Sequence, residues 1–481
     1  MSQETEGPVF EPESGVFSHV RGRVEAVLNA IREPALVETP TDTEEELTQR
    51  HARAVIDLCL RIGETMLAAG ASAADVVATV LRLGEGYGLE GTQVDVTFTS
   101  ITLSIRRGYE EDPISAMRVV KVRTTDYARQ QAVYRLIEDI LDPEIPIEPD
   151  EALRRLRVIL YRPHPYRRWV VTLGKATLAG GVVVMYDASF VLVLVAAAAA
   201  AGVDLVTSRL SRWGISEFFS QIFAATLTTA VAAFMYWLSA MGVELPGANR
   251  PTVIVISGII MLLSGIGLTS AARDAIDGYY VTASARGLEV MMLTVGLAVG
   301  ISMTLGIALQ LGVPIHVGTS LGPDAGLVPG VIGSALIGVG FALTSYVHLR
   351  VIPVMAAEAG IVYAFYYVLT PLTDQPGIVP ALAGVLAGIL GYLVYRWIRV
   401  PEAAVTMAGV IGLIPGLAVY RALYSLMDSA FGVANGLPAL IAALATGLGL
   451  AAGTTIGGFL ARRVFGLDLA ARKASRREAE Q

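Results

Sequence analysis

Apolar residues dominate the chain from Val170 to Val464, where they form about ten consecutive segments of membrane-spanning length. Each is close to the ~20 residues that an α-helix needs to cross the hydrocarbon core of a bilayer. The pattern therefore predicts an α-helical polytopic membrane protein. Only Asp187 separates the first two segments. The predicted spans are 170–187, 189–206, 218–241, 252–272, 288–312, 327–346, 351–370, 378–398, 403–424 and 438–462.

The part of the chain before the first span is polar, and its periodicity predicts a small cytoplasmic α/β domain. Helical repeats follow residue 43, and an alternating strand pattern begins at Val94. The alternation changes phase after Phe98, which predicts a bulge near Thr99 and Ser100. The predicted domains are a disordered, acidic, proline-containing tail (1–42), the α/β domain (43–168), two transmembrane repeats (169–312 and 327–465) and a charged, basic cytoplasmic tail (466–481).

An internal repeat relates the fourth and ninth spans. Residues 258–306 align without gaps with residues 409–457, and twelve of the 49 pairs are identical. The two spans are five crossings apart, and an odd number of crossings reverses direction. The sequence therefore predicts two inverted five-helix repeats, an architecture typical of alternating-access transporters. Matched pairs include Gly258/Gly409, Gly265/Gly416, Asp277/Asp428 and Thr304/Thr455.

Composition and charge restrict the function further. Charged residues make up 16% of the chain and mean hydropathy is +0.58, which agrees with a membrane protein. Arginines cluster at alternate span ends, so the positive-inside rule predicts that both termini are cytoplasmic. The expected location is the plasma membrane. The net charge of -7 gives no indication of nucleic-acid binding. The single cysteine, Cys59, excludes an internal disulfide, and neither a cofactor nor a metal site is expected.

Ionisable residues inside spans are costly and are candidates for substrate or proton sites. Glu358 lies in the middle of the seventh span, where it could be such a site or could instead make a structural hydrogen bond. Asp187 could be such a site or could instead be a simple turn residue. A charge cluster of Arg273, Asp274 and Asp277 follows the fourth span, and Asp428 is the repeat mate of Asp277. These residues could form gates near the pore, or they could be helix-end charges at the water surface.

Hydroxyls and helix breaks complete the candidate set. Thr304 and Thr455 are matched hydroxyls within spans, although threonine often bonds its own helix backbone. Backbone breaks within a membrane expose polar groups, which are tolerated only where protein or water surrounds them. Two such breaks are predicted at the same depth in the two repeats, at Ser264-Gly265 and at Pro415-Gly416.

Several stretches together resemble the threonine/serine exporter family, in the actinobacterial type that has a soluble domain before ten transmembrane helices. They are residues 60–72 (LRIGETMLAAGAS), 94–101 (VDVTFTSI), 257–265 (SGIIMLLSG), 272–278 (ARDAIDG) and 409–416 (GVIGLIPG). The resemblance covers about residues 45 to 465. It implies export of L-threonine and L-serine from the cytoplasm, driven by the proton-motive force, with these amino acids, protons and the bilayer as partners.

Other functions stay open on the sequence alone. One alternative is a transporter or channel for another small polar solute. A less favoured one is an intramembrane enzyme or a sensor, but the chain has neither a nucleophile-base arrangement nor an HExxH motif. It also lacks a P-loop, which argues against a self-contained ATP-driven pump. The expectation is therefore a secondary antiporter and not an enzyme, with a homo-oligomer left open.

Overall fold

The structure is a computed structural model that divides into two compact units, residues 1–53 and 54–481. The first unit is described from residue 44 onward, where it is helical. The predicted tail (1–42) lies outside the described residues. The described residues are 44–89, 91–105, 113–120, 125–142, 144, 146–243, 251–262, 265–313, 326–373, 375–414, 418, 422 and 432–479.

The N-terminal α/β segment, residues 44–161, contains four helices and an antiparallel sheet with the strand order β1-β2-β3. Short polar side chains begin two of its helices: Ser72 accepts a hydrogen bond from the backbone N–H of Asp75, and Asp126 accepts one from that of Arg129. The elements are α1 (Glu44–Ala68), α2 (Ala73–Gly86), β1 (Thr92–Val96), β2 (Ser100–Ile105), β3 (Ile114–Val119), α3 (Tyr127–Ile140) and α4 (Pro149–Tyr161).

The predicted bulge near Thr99 and Ser100 is wrong. Val96 pairs with Ile101 across an antiparallel ladder, so the chain reverses direction between them. The change of phase marks a hairpin, because the turn resets which residues face the core. Ile101, Leu103 and Ile105 on β2 are fully or almost fully buried, as a central strand with one apolar face requires.

Eight helices in the described part of the chain are long and apolar enough to cross a membrane. They confirm a polytopic membrane protein, and each coincides with one of the ten predicted spans. The boundary at Asp187 also agrees, because one helix ends at Met185 and the next begins at Phe190. The eight are α5 (Arg168–Met185), α6 (Phe190–Arg212), α7 (Glu217–Ala240), α10 (Tyr280–Gln310), α11 (Leu327–Thr344), α12 (Ile352–Leu369), α13 (Ile378–Ile398) and α15 (Gly432–Ala479).

Within the fourth and ninth predicted spans the structure describes shorter helices. The fourth contains α8 (Pro251–Leu262) and α9 (Gly265–Ile276), and residues 263–264 lie outside the described residues. The ninth begins with α14 (Glu402–Val410), which continues as a 3₁₀ turn over Ile411–Leu413. After residue 414, only residues 418 and 422 of this span are described.

Helices α5 and α11 cross at glycines with their backbones almost in contact. A Cβ atom at Gly333 would lie 2.6 Å from the carbonyl oxygen of Gly181, and a Cβ atom at Gly340 would lie 2.6 Å from that of Gly174. The earlier glycine of each helix contacts the later glycine of the other, so the helices are antiparallel. Both pairs are seven residues apart along their own helix. Each helix therefore contributes two glycines with the same spacing to the crossing.

Two further helix pairs also pack closely at glycines, but in a parallel orientation. Gly296 and Gly300 of α10 lie against Phe218 and Ile222 of α7, so these helices are parallel. Helices α13 and α15 are parallel as well and also meet at glycines. Their contacts are Gly449 with Gly377, Gly453 with Ala381 and Gly457 with Val385. The third and fifth predicted spans thus pack as the eighth and tenth do.

The glycine crossing yields a stability prediction. The Gly333→Ala substitution places a methyl group against the backbone of α5, and we expect overpacking of about 1–3 kcal/mol. Thermal unfolding of the purified protein should shift downward. The matched control is Gly306→Ala, because no atom lies within 4 Å of a Cβ at that position. Equal melting temperatures for both variants would contradict the close contact.

Candidate functional site

Glu358 lies on α12 with only 3% of its surface exposed. Neither of its carboxylate oxygens has a hydrogen-bond partner among the residues that the structure describes. A Cβ atom at Gly409 would lie 3.0 Å from Oε1 of Glu358, so the glycine provides the space that the carboxylate occupies. The arrangement brings an ionisable group of the seventh predicted span against the ninth, which is the span whose sequence repeats that of the fourth.

An isolated buried carboxylate is costly in its ionised form. Burying the group therefore demands a proton, an ion or a polar ligand. Within the described residues, no group of three or more His, Cys, Asp or Glu could hold a metal ion. Glu358 is thus a buried ionisable group whose carboxylate oxygens have no partner among the described residues.

Other polar groups lie close along the same helices. One turn after Gly409, a Cβ atom at Gly412 would lie 3.4 Å from the hydroxyl oxygen of Ser334 on α11. Ser334 is buried and its hydroxyl lies 3.8 Å from the sulfur of Met185. The buried hydroxyl of Thr406 on α14 has no partner among the described residues. Polar side chains from α11, α12 and α14 thus lie within the second predicted repeat, and Ser334 also contacts Met185 of the first.

The first predicted repeat presents a different chemistry at the matched position. Gly258, the repeat mate of Gly409, packs directly against Thr228 on α7. The hydroxyl of Thr228 donates to the carbonyl of Ala224 on its own helix, so its hydrogen is already used. At this matched position the described residues of the first predicted repeat place a threonine and not a carboxylate.

The predicted cluster after the fourth span divides into a buried pair and an outer group. Asp274 is fully buried, and its Oδ2 lies 3.0 Å from Arg286 on α10. It also accepts a hydrogen bond from the backbone N–H of Ala73, while Arg286 donates to the carbonyl of Ala71. This pair fixes the start of α2 to the membrane helices, which is a structural contact.

The outer group contains Arg273 and Asp277. The Nε of Arg273 lies 3.9 Å from Asp277, and its Nη2 lies 3.6 Å from Asp75 of α2. These separations exceed hydrogen-bond length. Arg273 therefore retains donor capacity that its neighbours leave unused. Asp428, the repeat mate of Asp277, lies outside the described residues.

Three further predicted candidates have local structural roles. The hydroxyl of Thr304 donates to the carbonyl of Gly300, and that of Thr455 donates to Ala451, each within its own helix. Asp187 is exposed in the turn between α5 and α6 with φ at 50°, a conformation that Asp tolerates better than most residues. Each contact supports the structural alternative for that residue.

The predicted helix breaks are only partly within the described chain. Gly265 is the first residue of α9, three positions after the end of α8 at Leu262. Ser264, Pro415 and Gly416 lie outside the described residues, so both breaks stay predictions.

Sequence reasoning missed one charged pair within the helices. Asp204 on α6 is 5% exposed, and its Oδ1 lies 2.5 Å from Nζ of Lys175 on α5. The hydroxyl of Thr172 donates to the other carboxylate oxygen at 2.6 Å. The available signal was a carboxylate inside a predicted span, together with a lysine in the adjoining span.

Comparison with known proteins gives a consistent result. The family described as "Putative threonine/serine exporter" matches residues 57–308, and the family described as "Threonine/Serine exporter, ThrE" matches residues 330–459. A probable threonine/serine exporter of Mycobacterium tuberculosis is 32% identical over 420 residues, which cover 85% of this chain and 77% of that protein. A threonine/serine exporter of Corynebacterium glutamicum is 29% identical over 452 residues, 93% of this chain and 90% of that protein. No solved structure matches.

The buried pair between α5 and α6 gives a second prediction. Replacing Asp204 by Asn leaves Lys175 without its anion, and we expect a loss of about 1–3 kcal/mol in unfolding free energy. The measurement is thermal or denaturant unfolding in detergent. Asp187→Asn is the matched control because that carboxylate is exposed in a turn. If Asp204→Asn were as stable as the control, the pair would not stabilise the helices.

Proposed function

The chain belongs to the threonine/serine exporter family, and we propose that it exports L-threonine and L-serine from the cytoplasm as a secondary transporter. Two relatives that are named as a probable threonine/serine exporter and a threonine/serine exporter align with most of its length. The membrane helices and the site at Glu358 agree with transport. We propose the proton-motive force as the energy source, so that protons enter while the amino acid leaves.

We further propose ten spans in two inverted five-helix repeats, with α8–α9 and the segment that begins with α14 as the fourth and ninth. The observation that carries this proposal is the antiparallel contact of α5 with α11 through two equally spaced glycines on each helix. A two-fold axis perpendicular to these helices would exchange the first span with the sixth, as inverted repeats require. The equivalent pairs α7–α10 and α13–α15 support the same symmetry.

The proposed location is the plasma membrane, with the α/β segment and both termini in the cytoplasm. The basic residues before α5 support this orientation, because cytoplasmic flanks are enriched in Lys and Arg. An even number of spans then returns the C-terminal end of α15 to the same side as the α/β segment. The α/β segment would cover the cytoplasmic ends of the helices that it contacts.

At the centre of the mechanism we place Glu358. A carboxylate without a partner can accept either a proton or the ammonium group of an amino acid, but not both at once. Exchange of one for the other couples the outward movement of substrate to the inward movement of protons. The hydroxyl group of Ser334, which lies at the junction of the proposed repeats, would hydrogen-bond the polar substrate.

Substitution of Glu358 tests this assignment. Glu358→Gln keeps the shape but removes the exchangeable proton, and we expect proton-driven export of threonine to fall by about tenfold or more, as loss of an interaction worth roughly 1.4 kcal/mol requires. The measurement is export of radiolabelled threonine from proteoliposomes with an imposed proton gradient. A protonophore should abolish the gradient-driven component in the unmodified protein.

Glu217→Gln is the matched control, because Glu217 is exposed at the start of α7. Threonine counterflow without a gradient separates two roles of Glu358. Retained counterflow assigns it to the proton alone, whereas lost counterflow assigns it to the substrate as well. Undiminished gradient-driven export by Glu358→Gln would refute both.

The inverted orientation gives a separate prediction about Asp277 and Asp428. Cysteines at these two matched positions should react with a membrane-impermeant maleimide from opposite faces of sealed vesicles. The native Cys59 is buried and gives little background. Labelling of Asp277→Cys and Asp428→Cys from the same face would exclude the inverted repeat.

A further inference from the structure

A cavity of about 270 Å³ lies where the α/β segment meets the ends of the membrane helices, and we refer to it as the interface cavity. Its walls come from α2 and α3 of the α/β segment and from α9, α13, α14 and α15. Its size is slightly below the range typical of sites for drug-sized molecules, which favours a small metabolite. Ionisable side chains of both signs line it.

Most charges in the interface cavity already have partners. Glu402 on α14 pairs with Arg462 on α15 at 2.7 Å, and Glu138 on α3 pairs with Arg399 at 3.1 Å. These pairs satisfy their own charges within the wall. Such exposed or half-exposed ion pairs add little stability by themselves.

Arg273 contributes a buried donor to the interface cavity. Its Nε is buried and has no hydrogen-bond partner within the described residues. The nearest carboxylates, Asp75 and Asp277, lie 3.6 and 3.9 Å away, at ion-pair distance but beyond hydrogen-bond length. Arg135 also lines the cavity, but its side chain is exposed. A guanidinium with unused donors is the preferred partner of a carboxylate, which it can bind through two parallel hydrogen bonds. We therefore place the anion position of the cavity at Arg273.

Carboxylates lie close enough to hold the opposite charge of the same ligand. Asp75 lines the cavity beside Arg273, and its side chain is 43% exposed. Glu402 lines it from the side of the ninth predicted span. A ligand with one carboxylate and one ammonium group a few ångströms apart complements this pattern, whereas a simple anion or cation leaves one side unmatched.

We propose that the interface cavity binds the zwitterionic head of an α-amino acid, with Arg273 on its carboxylate and Asp75 on its ammonium group. The proposal rests on the proposed export function and adds a capture site at the cytoplasmic end, apart from Glu358. An amino acid there would bridge the α/β segment and helices of both proposed repeats. The α/β segment then contributes directly to substrate recognition.

Protection of an introduced cysteine tests this site. Ala403 lines the interface cavity, so Ala403→Cys places a thiol in its wall. Burial raises the pKa of the native Cys59 thiol to about 12, which keeps it unreactive. In inside-out vesicles, L-threonine at ten times its half-saturating concentration should slow maleimide labelling of Ala403→Cys by about tenfold. Ser211→Cys, exposed at the end of α6, should label at an unchanged rate.

Two comparisons assign the recognition to charge. Threoninol, which lacks the carboxylate, should not protect Ala403→Cys. Adding Arg273→Gln should remove the protection by threonine, Arg273→Lys should retain part of it, and Arg463→Gln should leave it intact. Arg463 is the matched control because it is exposed and does not line the cavity. Size-exclusion chromatography establishes that each variant is folded.

Failure of this inference is distinguishable from failure of the export function. If vesicles with the unmodified protein transport threonine but Ala403→Cys is unprotected, the interface cavity does not bind the substrate. Protection that persists in a folded Arg273→Gln variant likewise overturns the role of Arg273. If the unmodified protein shows no threonine counterflow at all, the export function itself is wrong.

Discussion

The contact between α5 and α11 is the constraint on which the rest of the structure depends. Helices in lipid gain little from apolar burial, so their association relies on close packing and on polar contacts. Four glycines supply that packing here, and each faces a backbone atom of the other helix. The two helices are antiparallel, and each contributes two glycines to the contact. The contact can therefore serve as the joint between the two proposed repeats when they change conformation.

The second constraint is the cost of placing a carboxylate among the membrane helices. Glu358 is buried without a hydrogen-bond partner among the described residues, and its Oε1 would lie 3.0 Å from a Cβ atom at position 409, where the chain has glycine. The carboxylate of Asp204, by contrast, pairs with Lys175. This contrast makes Glu358, and not Asp204, the candidate for the proposed exchange. The α/β segment is tied to the membrane helices through Asp274 and Arg286.

Periodicity predicted much of this architecture. Hydrophobic length alone located eight helices, because the bilayer fixes how many apolar residues a span needs. Glu358 was found for the same reason, as an acid within such a segment. The Lys175–Asp204 pair was missed because the sequence does not show which side chains of two adjoining spans meet, and both residues lie near span ends. The hairpin at Val96 and Ile101 was missed because a phase change in alternation is common to bulges and turns.

Alternating exposure of the junction between the repeats is the central claim, and Ser334 tests it most directly. Ser334 is buried beside the α5–α11 contact and faces Gly412 of the ninth predicted span. Reaction of Ser334→Cys with a small membrane-impermeant thiol reagent can be measured from each side of oriented vesicles. The account predicts reaction from both sides, with a proton gradient or threonine increasing one rate at the expense of the other. Reaction from one side only, under every gradient and substrate condition, would contradict it.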